Sequence, residues 1–250
     1  MVMATTGTTS ELSFIDACTL SVSGKAFGAT HRFFSRLPAK AQKVVPEPVW
    51  NLAQQPAGLC VEFWSNTTVL GADLLLECDS VGPPLTTDCT LDCYVNNGQR
   101  WGWIGILANP QRPRTVDVIR RGLPRHRQFF RIYLPFAANV ASLRIGIDVG
   151  AFIEPAEPPA QKPICFYGTS IVHGFSARRA GMTLPAILGR RLAWPMWNLG
   201  FSGNARMEPA LAHLLAELDP AVYVLDCLPN MTPELVSERL APFVRTLSAA

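Results

Sequence analysis

The sequence predicts two domains in series, a jelly-roll-like β-sandwich over residues 1–153 and an α/β domain with a parallel sheet over residues 164–250. Three observations lead there: short β-like runs at regular spacing in the first part, four prolines within Glu154–Pro163, and a β-α-β-α-β alternation after them. The proline cluster reads as a stiff extended connector over 154–163, because proline fixes φ and cannot continue a helix or a central strand.

In the first part the runs are Gly58 to Phe63, Val69 to Leu76, Thr90 to Val95, Trp101 to Ile106, Phe129 to Leu134 and Ser142 to Ile147. Turn residues such as Asn96-Asn97-Gly98 separate them, which favours antiparallel strands in a sandwich. Trp50, Trp64, Trp101 and Trp103 are numerous enough to form a platform for sugar rings, but aromatic residues spread through strands more often pack in cores. Trp101 and Trp103 alternate along one strand and point to the same side, so they are the best candidates for a functional surface.

In the second part, Ile164-Cys-Phe-Tyr-Gly168 is an apolar strand that opens into Thr169-Ser170, and Gly174 closes the turn. Glycines on both sides free the backbone to present the serine and let a carbonyl approach without meeting a Cβ. Trp194 to Leu199 opens in the same way into Gly200-Phe-Ser-Gly203-Asn204, and Ala221 to Leu225 into Asp226-Cys-Leu-Pro-Asn230. Between those strands, Met207, Leu211, Leu214, Leu215 and Leu218 share one helical face, which marks a crossover helix. Thr232 as cap, Pro233 in the first turn and the stripe Val236, Leu240, Phe243, Val244, Leu247 mark a last helix. Crossovers of one hand bring the three strand ends to one edge of the sheet, where open α/β folds bind ligands, so Ser170, Gly203 and Asn230 are expected to converge.

Tyr167-Gly-Thr-Ser170, Asn198-Leu-Gly-Phe-Ser-Gly203-Asn and Leu225-Asp-Cys-Leu-Pro-Asn230-Met resemble the first three blocks of the SGNH (GDSL-type) hydrolases. More loosely, Leu91-Asp92-Cys-Tyr94 with Trp101 and Trp103 is similar to the N-terminal β-domain of some of these esterases, around their Asp-x-Tyr motif. The resemblance implies a flavodoxin-like three-layer α/β/α domain, a nucleophile at Ser170, an oxyanion hole at Gly203 and Asn230, and no cofactor or metal. It implies a short-acyl ester as substrate, with an acetylated carbohydrate to be tried first. Ester cleavage suits this set, since donors aimed at the developing oxyanion lower the barrier by several kcal/mol.

Family members also carry an Asp-x-x-His pair late in the chain, and Met231 to Ala250 contains neither Asp nor His. The expectation is therefore a truncated hydrolase domain whose activity is impaired in this chain. His173, three residues past Ser170, lacks an identifiable orienting carboxylate and is expected to be a packed histidine beside the serine, and Asp226 a residue stabilising the Asn230 loop. A non-enzymatic glycan-binding or scaffold protein is the alternative, and a base supplied by a partner chain a further one. The strand Ala221 to Leu225 is expected to present an open edge through which the chain self-associates.

Composition narrows the rest. Hydrophobic residues make up 48% and charged residues 16%, enough apolar material for sizeable cores, with a formal net charge of +3. The arginine-rich segment 112–131 reads as a loop or solvated face more readily than as a nucleic-acid site. Seven cysteines with no C-x-x-C favour free thiols over disulfides or zinc, and Cys89 with Cys93 is at most half a zinc motif. No apolar window is long enough to span a membrane, and the threonine-rich start has no signal-peptide pattern, which together favour a cytoplasmic location.

Overall fold

The computed structural model describes residues 12–77, 90–107 and 113–249. Cys89, and with it the half motif it forms with Cys93, lies outside the described residues. The strands in chain order are β1 (Leu12–Asp16), β2 (Ser21–Ser23), β3 (Cys60–Ser65), β4 (Val69–Leu76), β5 (Leu91–Asn96), β6 (Trp101–Leu107), β7 (Arg114–Arg121), β8 (Gln128–Tyr133), β9 (Val140–Asp148), β10 (Ile153–Pro155), β11 (Ile164–Gly168), β12 (Met196–Gly200) and β13 (Val222–Asp226). The helices are α1 (Glu47–Ala53), α2 (Ser170–His173), α3 (Leu184–Leu192), α4 (Pro209–Leu215) and α5 (Pro233–Ser248).

Two antiparallel sheets form the sandwich. One has the order β1-β9-β4-β7, and the other β10-β3-β8-β5-β6 with β2 also paired to β3. Alternation places Val61, Phe63, Phe130 and Ile132 of the second sheet against Leu70, Ala72, Leu74, Leu143 and Ile145 of the first, in one buried core. The outer face of the second sheet is also covered. Cys60, Tyr94, Tyr133 and Phe136 pack there on Ala180 and Ala186 of the α/β domain, which explains why β3 reads as a nearly continuous buried run.

The arginine-rich segment is not a loop. Arg114–Arg121 forms edge strand β7, with Arg114 donating two hydrogen bonds to buried Asp73 at 2.9 and 2.8 Å. Its other exposed charges are what a solvated edge needs to resist unwanted pairing. A second departure concerns domain limits. Pro155 pairs with Phe63 through β10, so the sandwich extends into the proline-rich connector. Conversely, Phe27, Leu37, Val45, Val49 and Trp50, between β2 and β3, belong to the core of the α/β domain.

That domain is built on a parallel sheet of order β12-β11-β13. Cys165 and Tyr167 of β11 face a core shared with α1, α4 and α5, where the Phe243 ring stacks on Tyr167 at 5.3 Å. The opposite face carries α2 and α3, with Gly168 against Val172 and Gly189 against Met196. Thr232 caps α5 as expected, its hydroxyl accepting the Leu235 N–H at 3.4 Å. Among the described residues no helix is long and apolar enough to cross a membrane.

Candidate active site

Register fixes the site. Gly168 pairs with Gly200 on one side and Asp226 on the other, so the three strands end level and their following turns lie at one edge. Two backbone hydrogen bonds bind these turns together, Phe201 N–H to Gly168 O at 2.7 Å and Thr169 N–H to Asp226 O at 3.0 Å. Thr169 is the N-cap of α2, its hydroxyl accepting the Ile171 N–H at 3.4 Å, which places Ser170 at the first helical position. A Cβ on Gly200 would lie 2.1 Å from the His173 nitrogen, so only glycine lets the start of α2 sit on the end of β12.

The N–H groups of Ser170 and Gly203 have no hydrogen-bond partner among the described residues, nor has the Ser170 hydroxyl. Gly203 adopts φ +70 with open space around its Cα. The Asn230 amide donates to the Asn204 carbonyl at 2.7 Å, tying the loop after β13 to the loop after β12. One of its two N–H bonds remains for another acceptor. Below the loop, Tyr167 donates to Glu208 at 2.7 Å, and the same carboxylate oxygen accepts the Arg206 N–H at 3.0 Å. The segment carrying Gly203 is thereby anchored to the central strand.

His173 is beside the serine turn but is fully occupied. It is buried, its Nε2 donates to the Phe136 carbonyl at 2.7 Å, and its Nδ1 accepts the Ser202 N–H at 3.4 Å. The carbonyl can only accept, so the proton is on Nε2 and no lone pair faces Ser170. Burial first, and then the Arg36 charge, lower its pKa from 6.5 to about 3. Between these values the unfolded chain binds a proton that the native state does not, so stability falls as pH drops through that window. From pH 7 to pH 5 the wild-type chain is expected to lose roughly 2 kcal/mol more than His173→Gln. Urea melts at the two pH values check this, and equal losses would contradict it.

Asp226 does not reach the Asn230 loop through its carboxylate. It accepts the Thr169 hydroxyl at 3.3 Å and so supports the serine turn instead. Strand register is the reason, because Asp226 ends its strand level with Gly168. Among the described residues no histidine with a carboxylate partner is joined to Ser170 by a hydrogen bond.

Sequence reasoning missed Arg36. Its guanidinium is buried and donates to the carbonyls of Gln55 (2.8 Å), Leu52 (2.7 Å), Asn198 (3.1 Å) and Gly200 (2.7 Å). It thus satisfies the free edge of β12 next to the site, while burial lowers its own pKa to about 9. A lone arginine far upstream carries no local signal of this.

Comparison with known proteins agrees with this architecture. Residues 12–153 match the N-terminal domain of SGNH-hydrolase-type esterases, and residues 161–250 match the GDSL-like lipase/acylhydrolase family. A crystal structure described as a GDSL-like lipase from Bacteroides ovatus is 32% identical with a TM-score of 0.88, covering 94% of this chain and 70% of that one. The chain belongs to the SGNH-type, GDSL-like esterase family. Two more distant structures share the fold of this SGNH-type protein. The salicylyl-acyltransferase SsfX3 from a tetracycline biosynthetic pathway is 18% identical, TM-score 0.71, over 95% of this chain and 69% of that one. A family two carbohydrate esterase from Cellvibrio japonicus is 11% identical, TM-score 0.57, over 94% and 75%. A search of curated proteins found no match.

In this SGNH-type chain the Asp-x-Tyr motif is a clamp between domains. Asp92 is fully buried and accepts Trp103 Nε1 at 2.8 Å, the Gly181 N–H at 2.9 Å and the Tyr94 hydroxyl at 3.2 Å, with Arg179 Nε 3.3 Å away. Arg179 lies over the Trp103 ring at 4.6 Å. Trp103 therefore serves the clamp, although half of it remains exposed. Asp92→Ala would leave these donors without an acceptor, and a loss of about 3 kcal/mol or more is expected on chemical denaturation. A loss under about 1 kcal/mol, the size of an ordinary exposed pair, would contradict the clamp.

Proposed function

We propose that this chain carries the nucleophile and oxyanion hole of a serine ester hydrolase for short acyl groups, with acetylated carbohydrate as the substrate class. The observation that supports it is that the strands leading to Ser170 and Gly203 are parallel neighbours that end level, with the backbone N–H groups of both residues unengaged. In this reading Ser170 Oγ attacks the carbonyl carbon and gives its proton to water, the C–O bond breaks and the departing alkoxide takes a proton from water to leave as the alcohol, and a second water then hydrolyses the acyl-serine to free the acid and restore the hydroxyl. The Ser170 and Gly203 N–H groups and the free N–H of Asn230 stabilise the oxyanion. With no histidine to take the proton, turnover by these 250 residues is slow. The resemblance in fold to a carbohydrate esterase supports the choice of substrate.

Acetate release from acetylated xylo-oligosaccharide tests the reading. Ser170→Ala should abolish the slow release, and Asn230→Ala should reduce it by about 10²-fold or to the same background. Release unchanged in both variants would instead favour a glycan-binding or scaffold protein.

Self-association through β13 is a further part of this proposal. Among the described residues β13 is paired only with β11, and Val222 at its start is half exposed. A second copy can extend the sheet there. Size-exclusion chromatography with hydrogen exchange is expected to show dimers with protection over residues 221–247 that rises with concentration. A monomer strongly protected throughout would overturn it.

A further inference from the structure

At the opposite end of the parallel sheet from Ser170, a cleft of about 510 Å³ opens between the two domains. The five residues of β11 separate the two regions, about 16 Å at the rise of a parallel strand. The cleft is lined by Trp101 and Phe129 from the sandwich and by Trp194 and Trp197 at the start of β12. Its volume is in the range of small-molecule sites, which favour domain interfaces and apolar walls with a few polar groups. Glu62, which also lines the cleft, is already engaged by Arg131 and Ser23.

A second recess, about 650 Å³, continues the cleft and shares Asn96, Trp101 and Ala193 with it. Among the described residues no acidic side chain lines it, whereas Arg100, Arg190 and Arg191 do. None of these three guanidinium groups has a carboxylate or hydrogen-bonding partner among the described residues. Arg190 lies over the Tyr94 ring at 4.1 Å and 5.3 Å from the Tyr133 ring, and its Nη1 is buried with no acceptor among the described residues. A cation packed on aromatic rings and partly removed from water, with no counter-ion among the described residues, attracts an oxyanion to its open side. Arg131 lies over the Trp101 ring at 4.5 Å, leaving the rest of that ring to line both recesses.

We propose that this junction binds an acidic sugar, its oxyanion at Arg100, Arg190 and Arg191 and its ring against Trp101. The shared chemistry is an oxyanion carried on a sugar ring, whether a carboxylate or a phosphate. The site is separate from Ser170 and does not depend on the proposed catalysis.

Isothermal titration of the whole chain with galacturonate, glucose 6-phosphate and glucose tests it. At least one acidic sugar should bind, with glucose weaker by roughly tenfold or more, as loss of charge-assisted hydrogen bonds implies. The tighter acid identifies the oxyanion. Arg100→Gln and Arg191→Gln, both on exposed residues, should weaken acid binding several-fold each without lowering the melting temperature, and Ser170→Ala should leave it unchanged. Trp101→Ala should weaken the acidic sugar but not inorganic phosphate. Failure of both acids to bind, glucose binding as tightly, or an Arg100→Gln/Arg191→Gln double variant binding like wild type would each overturn the proposal.

Discussion

Arg36→Ala is expected to remove about 4 kcal/mol or more of stability, a large share of what a domain of ordinary stability possesses. The guanidinium serves four carbonyls, those of Leu52, Gln55, Asn198 and Gly200, and its face lies 4.8 Å from the Phe201 ring. Each hydrogen bond from a charged donor is worth roughly 1.5–3 kcal/mol, and the four are not additive, but truncation leaves all the acceptors dry and opens a cavity beneath them. Two of those carbonyls are in β12, whose end positions Gly203. The damage should therefore reach the site as well as the fold. Arg36→Met, which keeps the stem and loses the donors, should fall between wild type and Arg36→Ala. Guanidinium denaturation reads the difference, and an Arg36→Ala chain within about 1 kcal/mol of wild type would show that water replaces the side chain there.

What could be read in the sequence was whatever has a short period. The runs that became β3, β4, β5, β6, β8 and β9 alternate or cluster apolar residues between turn signals, and α4 and α5 show their stripes. β7 escaped because charged residues make up half of it, and they mask the β-branched Thr115, Val116, Val118 and Ile119 between them. The segment around α1 was assigned to the first domain by its position, yet Val49 and Trp50 pack with β11 and α4, a contact no local pattern encodes. The site divides in the same way. Ser170, Gly203 and Asn230 were visible as polar turns after apolar strands, and parallel register brings the ends of those strands level at one edge. Arg36 and the Asp92 clamp depend on partners far away in the chain, and the hydrogen bond of Asp226 to Thr169 depends on register.

The second large effect concerns catalysis: on the proposed reading, Ser170 has oxyanion donors but no base, so it should respond to a base added from solution. Removing a triad member costs orders of magnitude in rate while the oxyanion hole retains part of the acceleration. Hydrolysis of p-nitrophenyl acetate by the 250-residue chain should thus be slow, limited by loss of the Ser170 proton. His173 cannot relieve that limit, because both its ring nitrogens are engaged. The most direct measurement is the rate with and without added imidazole, for wild type and Ser170→Ala, with the imidazole background subtracted. Imidazole is expected to accelerate wild type by about tenfold or more, less than the roughly 10²-fold a positioned general base supplies, and to leave Ser170→Ala at background. Equal rates for the two proteins under all conditions, or full turnover by wild type without imidazole, would contradict it.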